Sequence, residues 1–238
     1  MKKILLKCTI LIVVLCCCQS RQQVTAPIST IDSTLQTNAT AILESKLSEI
    51  NAQSGQVIVM EVQSGQIKAL VGLTRKDSAN YQSCENFSVW QSTGLMHPIS
   101  LLAALETGKV KLSDKVDTGN GIYQVHGREL KDHNWHRGGY GELTVQEGLA
   151  ASSNIAIYKT MEKAFGDNPQ TFFDLLTNMS YGKPDSINGI ASLQPYKITE
   201  KNITWNCIGY EQLISPIQVL TFYNAIANNG KMIQPQLY

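Results

Sequence analysis

The chain has 238 residues, of which 43% are hydrophobic and 16% are charged, and its formal net charge is +1. This length suits one sizeable domain, and the hydrophobic content can build a core. Because neither charge sign dominates, the composition gives no basic field for nucleic acid, and we expect no nucleic-acid partner.

Residues 1–18 have the composition of a targeting segment. Two lysines follow the first methionine, and the apolar run over 4–15 is too short for a membrane-spanning helix, which needs about 20 apolar residues. Leu15 stands three places before Cys18, a spacing that resembles a bacterial lipobox. We predict a lipoprotein signal peptide over 1–18 with lipidation at Cys18, or at Cys17 as the second choice. An ordinary cleaved signal with incidental cysteines is the alternative.

The next segment, residues 19–38, is polar and shows no apolar periodicity. It predicts a tether between the membrane and a single domain over 39–238. The domain is expected to open with a helix over 39–52, because apolar residues there recur at helical spacing and Gly55 follows.

Residues 56–73 predict a β-hairpin. Strand-like runs at 56–62 and 67–73 flank the sequence Gln-Ser-Gly-Gln, in which Gly65 can supply the positive φ of a turn. Most positions in both runs are apolar, so we expect the sheet to be covered on both faces.

The remainder predicts mostly helix. We expect an irregular connection over 74–93 and a buried helix from Leu95 that ends at Gly108. Residues 110–142 predict a loop-dominated lobe, and residues 180–206 are again irregular. Further helices are predicted to begin at Thr144 and to cover 155–165, 169–176 and 216–228.

Three stretches occur in an order that resembles one known family. They are GQVIVMEVQSGQIKALVG, GELTVQEGLAASSNIAIYK and IGYEQLISPIQVLTFYNAIANNGK. Together they resemble the transpeptidase domain of class B penicillin-binding proteins over residues 55–238. The resemblance implies an α/β (α+β) fold of the β-lactamase/transpeptidase type, with helices around a five-stranded antiparallel sheet and a helical lobe. Only the first two strands of that sheet are expected in this chain.

The family's first motif is Ser-x-x-Lys at a helix start, where the lysine amine takes the proton of the nucleophilic serine. Alignment of WQSTGLMHPISLLAALETGKV without gaps puts Gly94 at the serine position and His97 at the lysine position. Glycine has no hydroxyl and cannot form an ester. His97 can accept a proton at neutral pH, but residue 94 offers it nothing to activate.

The second and third motifs differ in how far they are retained. The second, Ser-x-Asn, is present as Ser152-Ser153-Asn154, and the resemblance implies that Ser152 and Asn154 face the substrate cleft. Capping of the following helix is the structural interpretation of the same residues, and the two are compatible. The third, Lys-Thr-Gly, does not occur after Asn229.

Two other patterns could suggest a relocated site. Ser180 to Lys183 is the chain's Ser-x-x-Lys sequence, but it follows a predicted helix and resembles a non-catalytic family loop, so we interpret it as chance. His126, His133 and His136 lack a helix that would align them as ligands. We therefore predict no metal and no other cofactor.

The cysteines outside the signal are Cys84 and Cys207. Both would reside in an oxidising compartment, so they could form one disulfide. Their sequence separation does not fix their distance, and two free thiols are the equal alternative.

The leading interpretation is a catalytically inactive, penicillin-binding-protein-like lipoprotein of the cell envelope, anchored in the membrane and facing the periplasm. Its expected partners are peptidoglycan stem peptides or cell-wall proteins. The alternatives are an active serine transpeptidase or hydrolase with a relocated nucleophile, and a non-enzymatic scaffold that binds a partner at the sheet edge. With its last strands missing, the domain over 39–238 is expected to be unstable alone, repacked, or completed by another polypeptide.

Overall fold

The computed structural model describes residues 28–78, 80–87, 93–199 and 201–238. The helices are α1 (Ser33–Glu49), α2 (Met96–Glu106), α3 (Val145–Ala150), α4 (Asn154–Phe165), α5 (Gln170–Asn178), α6 (Ile203–Asn206) and α7 (Pro216–Ala227). The strands are β1 (Ser54–Met60), β2 (Ile67–Arg75), β3 (Tyr81–Ser83), β4 (Lys115–Asp117), β5 (Ile122–Val125), β6 (Arg128–Lys131), β7 (Glu142–Thr144), β8 (Lys197–Ile198) and β9 (Gln212–Leu213).

The predicted hairpin is confirmed and forms most of the main sheet. Strands β1 and β2 pair antiparallel with Val57 opposite Val71, and Gly65 in the turn has a φ of 75°. A third strand, β3, pairs with the end of β2. The described residues therefore contribute three strands to this sheet, whereas the sequence predicted two. The sequence did not predict β3 because its three residues are polar, and it is anchored instead by the Arg75 guanidinium, which donates to the hydroxyl of Tyr81.

Helix α1 covers one face of this sheet, where Leu43 and Leu47 join a buried cluster with β2 residues. It begins at Ser33, so the predicted start at residue 39 was wrong. The Asp32 carboxylate accepts a hydrogen bond from the Leu35 N–H and caps the helix, which allows the polar first turn to be helical.

The last residues of the predicted tether therefore belong to the folded domain. Within the described part of that segment, the Thr30 hydroxyl donates to the carbonyl of Ile67 on β2. The predicted signal peptide over 1–18 and the lipidation site Cys18 lie outside the described residues.

The helical lobe holds the largest buried cluster. Helices α2, α4, α5 and α7 contribute most of it, and ten of its members are Met96, Ile99, Ile155, Ile157, Met161, Phe165, Phe172, Leu176, Val219 and Phe222. The predicted loop-dominated segment 110–142 contains the short strands β4, β5 and β6 and the start of β7. Its many glycines adopt positive φ and permit these tight connections.

Helix α7 links the sheet to the lobe. A capping box between Ser215 and Gln218 starts it, and Ile217 packs with the sheet residue Ile67 while Phe222 packs in the lobe. The Tyr223 hydroxyl donates to the carbonyl of Leu95, just before α2. Among the described residues, no helix has both the length and the apolar character needed to span a bilayer.

Candidate functional site

The candidate site lies where the start of α2 meets the junction between α3 and α4. Gly94 belongs to a 3₁₀ turn, Thr93–Leu95, that leads directly into α2, and it is exposed. A Cβ atom built on Gly94 would lie 3.3 Å from the Ser152 Oγ, and apart from its chain neighbours it would meet no other heavy atom of the described residues within 4 Å. The position aligned with the family nucleophile therefore does face the second motif, but it carries no hydroxyl.

His97 connects the two motifs. Its imidazole is buried, with 2% of the residue exposed. Nε2 lies 3.0 Å from the Asn154 Oδ1, and Nδ1 lies 3.3 Å from the Ser152 Oγ. The structure thus brings Gly94, His97, Ser152 and Asn154 together.

The neighbouring strand fixes the direction of these hydrogen bonds. The Asn154 Nδ2 donates to the backbone carbonyl of Lys131, at the end of β6, over 2.9 Å. Since that amide nitrogen must face the carbonyl, the amide oxygen faces His97 and accepts a proton from Nε2. Nδ1 of the neutral ring is then an acceptor, and the Ser152 hydroxyl donates to it.

The electrostatic setting favours the neutral ring. Burial lowers the pKa of His97 below its ordinary value, because the charged imidazolium loses hydration. The hydrogen bond to Asn154 and the charge of Asp132 act in the opposite direction but are smaller. At neutral pH, His97 therefore has an unprotonated nitrogen directed at Ser152.

Ser152 owes its placement to the end of α3. Its φ is 51°, the left-handed conformation that often follows a helix C-cap and usually selects glycine. The Ser152 N–H donates to the carbonyl of Leu149, and the Ser152 side chain is exposed at the surface. The site thus presents an accessible hydroxyl above a buried imidazole.

Capping is performed by the middle residue of the second motif. The Ser153 Oγ accepts from the Ala156 N–H and starts α4, while Ser152 and Asn154 contact His97. The two interpretations of this motif therefore apply to different residues within it.

Asp132 is a buried residue that holds the start of α4 in place, and the sequence did not indicate it. Its carboxylate is fully buried and accepts from the Ser153 hydroxyl at 2.7 Å and from the Ile155 N–H at 3.0 Å. It follows β6 directly, next to the Lys131 carbonyl that holds Asn154. In the sequence, Asp132 stands among polar residues and glycines, so nothing distinguishes it from a surface aspartate.

The other Ser-x-x-Lys pattern does not form a catalytic pair. Ser180 lies in the turn after α5 with a φ of 58°, and its contact with Lys183 is a backbone hydrogen bond. The Lys183 amine forms an ion pair with the Asp185 carboxylate instead.

The three histidines of the 110–142 segment are not arranged as metal ligands. His126 occupies the β5–β6 turn, His136 is exposed, and the His133 Nε2 lies 3.0 Å from the Tyr140 hydroxyl. Within the described ranges, no three His, Cys, Asp or Glu side chains are grouped to hold a metal ion.

The two body cysteines are free thiols. Cys207 is buried in the lobe, where its Sγ donates to the carbonyl of Thr204, and burial raises the pKa of its thiol. Cys84 lines a cavity of about 690 Å³ beside β2, together with Leu70, Ile190 and Tyr238. That cavity is separate from the candidate site, whose four residues are absent from its described lining.

Comparison with known proteins shows the family of the chain. The family model of the penicillin binding protein transpeptidase domain matches residues 55–238. The chain is 23% identical over 214 residues to the peptidoglycan D,D-transpeptidase FtsI of Escherichia coli K12, covering 84% of this chain and 35% of that protein. It is 24% identical over 216 residues to the probable peptidoglycan D,D-transpeptidase PbpC of Pseudomonas aeruginosa, covering 85% and 37%.

Solved structures show the same fold. A peptidoglycan glycosyltransferase from Burkholderia ambifaria superposes with a TM-score of 0.73 at 24% identity, covering 88% of this chain and 64% of that one. The transpeptidase domain of penicillin-binding protein 3 from Burkholderia pseudomallei gives a TM-score of 0.72 at 23% identity, covering 88% and 60%. The fold is therefore the β-lactamase-like fold of transpeptidase domains.

This chain belongs to the penicillin-binding protein transpeptidase family. It spans a little over a third of the length of the E. coli and P. aeruginosa relatives. The predicted kinship and fold class are confirmed, and the relation to peptidoglycan cross-linking enzymes of the cell envelope is established at the level of the family.

Proposed function

We propose that this protein is a member of the transpeptidase family that binds peptidoglycan peptides but does not form the acyl-enzyme of the family reaction. The observation that carries the proposal is Gly94, whose Cβ position faces the Ser152 Oγ at 3.3 Å but lacks the hydroxyl that would attack a peptide carbonyl. Without that oxygen, the ester intermediate of the family reaction cannot form on residue 94. The protein therefore does not cross-link peptides by the family mechanism.

The replacement of lysine by His97 supports the same conclusion. An amine at position 97 would serve a serine at position 94, whereas the imidazole is held between Ser152 and Asn154. Burial also keeps the ring neutral, so the site lacks the cation that the family lysine can supply.

Binding without acyl transfer rests on the retained cleft wall. The Ser152 hydroxyl and the Asn154 amide are two polar groups held by defined partners, and such preorganised groups favour binding of a polar peptide. The proposed ligands are peptidoglycan stem peptides that end in D-Ala-D-Ala.

The binding proposal is tested by titration with a synthetic stem pentapeptide, with heat or fluorescence anisotropy as the readout. Saturable binding to the wild type that weakens in Asn154→Ala, but not in His136→Ala, supports it. Asn154 lies in the site, whereas His136 is exposed in the 135–137 turn. No saturation at millimolar peptide would count against it.

The cellular location is a separate part of the proposal. We propose a lipoprotein that is anchored through Cys18 and faces the periplasm, because the residue pattern over 1–18 resembles a lipoprotein signal. Metabolic labelling with an alkyne fatty acid tests this directly. Label is expected on the wild type and on Cys17→Ala and should be lost in Cys18→Ala; label retained in Cys18→Ala would place the anchor elsewhere.

A further inference from the structure

We infer that Ser152 is a nucleophile activated by His97, and that the pair hydrolyses small, solvent-accessible esters such as acetyl esters. The inference goes beyond the proposed function, because it concerns neither transpeptidation nor residue 94. It rests on the arrangement of Ser152, His97 and Asn154.

The three side chains have the connectivity of a nucleophile, a base and an orienting group. The Asn154 Oδ1 accepts from the His97 Nε2 at 3.0 Å, and the free Nδ1 faces the Ser152 Oγ at 3.3 Å. Serine hydrolases use this logic, in which a third group fixes the tautomer and the ring angle of the base. Here the orienting group is itself fixed by the Lys131 carbonyl.

His97 and Ser152 differ in solvent exposure, and this difference suits one to be the base and the other to be the nucleophile. His97 is 2% exposed, whereas Ser152 is exposed at the surface of the site. A substrate can therefore reach the hydroxyl, while the base is protected from competing hydrogen bonds with water. The positive φ of Ser152, 51°, is unfavourable for a residue with a side chain, and the hydroxyl of this residue lies 3.3 Å from the His97 Nδ1.

The reaction balances without any added cofactor. The Ser152 Oγ bonds to the ester carbonyl carbon as its proton passes to the His97 Nδ1, and the bond to the leaving alcohol breaks as that alcohol takes the proton. Water then attacks the acyl carbon, giving its proton to Nδ1, and the acid leaves as the Ser152 Oγ regains that proton.

Substrate size follows from the position of the hydroxyl. The Ser152 Oγ lies 3.3 Å from the Cβ position of residue 94, so a carbonyl placed for attack from residue 94 must turn to meet Ser152. A small acyl group can turn toward Ser152, whereas a carbonyl held in a bicyclic ring for residue 94 cannot. The acyl group on an exposed serine is also open to water, so it turns over and does not accumulate.

The test uses a fluorophosphonate probe, which forms a stable adduct with an activated serine, together with hydrolysis of p-nitrophenyl acetate. We expect the adduct on the Ser152 peptide by mass spectrometry, and ester hydrolysis at least about tenfold faster than by Ser152→Gly, since general-base catalysis contributes at least that factor. Glycine suits the left-handed backbone there, so this variant keeps the fold.

Ser180→Gly is the matched control, because Ser180 also has a positive φ but lies outside the site. Its activity should equal that of the wild type. A pH profile provides the second readout: hydrolysis should rise as His97 loses its proton, with a midpoint below the ordinary histidine pKa. Asp132 is the charged group that acts on this ring.

Equal ester hydrolysis by wild type and Ser152→Gly, or the absence of a phosphonate adduct on Ser152, would overturn the inference. The proposed function is judged separately by β-lactam labelling. A protein without either adduct would keep the proposed function and lose this inference. A penicillin adduct would contradict the proposed function whatever the phosphonate result.

Discussion

The His97 Nε2 donates to the Asn154 Oδ1 over 3.0 Å and so joins the first turn of α2 to the first residue of α4. The same ring accepts from the Ser152 hydroxyl. One imidazole therefore contacts both polar side chains of the second motif, at the position that the ungapped alignment matches to the family lysine. Asp132, which is fully buried, supports this arrangement through the Ser153 hydroxyl and the Ile155 N–H.

Removal of the His97 ring should destabilise the domain. His97→Ala leaves a cavity in the lobe and takes partners from Ser152 and Asn154, so we expect the free energy of unfolding to fall by about 2–4 kcal/mol. Urea denaturation measures this change. His136→Ala, at an exposed position, should change it by less than about 0.5 kcal/mol. Equal effects of the two variants would contradict the bridging role of His97.

Asp132 should be as important for stability as His97. Asp132→Ala leaves the Ser153 hydroxyl and the Ile155 N–H without their acceptor in a fully buried position, at an expected loss of about 2–4 kcal/mol. The control is Asp174→Ala on the exposed face of α5, where the carboxylate pairs with Gln170 and little change is expected. Thermal unfolding of both variants gives the comparison.

The lowered pKa of His97 predicts an acid-side loss of stability. The unfolded chain binds a proton near the ordinary value of about 6.5, whereas the folded site resists it. The contribution of the neutral His97 ring to the free energy of unfolding is therefore complete above pH 6.5. It is lost as the pH falls toward the lower pKa that His97 has in the folded state. NMR titration of the His97 ring measures the shift, and a midpoint at or above 6.5 would contradict burial as the dominant effect.

Gly72 and Gly94 should differ in how much stability the protein loses when each is replaced by alanine. A Cβ on Gly72 would lie 2.1 Å from the backbone oxygen of Cys84, so Gly72→Ala must separate β2 from the next segment. We expect a loss of more than about 2 kcal/mol. Within the part of the chain that the structure describes, the Cβ of Gly94→Ala meets the Ser152 Oγ alone, at 3.3 Å, and we expect this variant to change stability by less than about 1 kcal/mol. Similar losses in both variants, measured by urea denaturation, would show that the site at Gly94 is packed tightly.

Much of the fold was predictable because its signals are local. The β1–β2 hairpin carries a turn glycine between apolar runs, and α7 carries a serine cap and an apolar face, so each element could be assigned from its own residues. The start of α1 and the strand β3 could not, since both are polar and depend on Asp32 and Arg75 contacts within the folded chain.

The site was predictable only through the family motifs. Alignment identified Gly94, His97, Ser152 and Asn154, and the structure brings all four together. It gave no indication of Asp132, because a buried carboxylate is defined by neighbours that are distant in sequence. The hydrogen bond between His97 and Ser152 likewise depends on the packing of α2 against α4, which no sequence spacing encodes.

Labelling with a fluorescent penicillin tests whether this protein can form an acyl-enzyme. The purified wild-type protein is incubated with the probe, denatured by boiling and examined by gel and by mass spectrometry, beside an active penicillin-binding protein as the positive control. Because residue 94 offers no oxygen to the β-lactam carbonyl, we expect no covalent band on this protein. A boiling-resistant adduct on any of its residues would show that the protein does form an acyl-enzyme and that the proposed function is wrong.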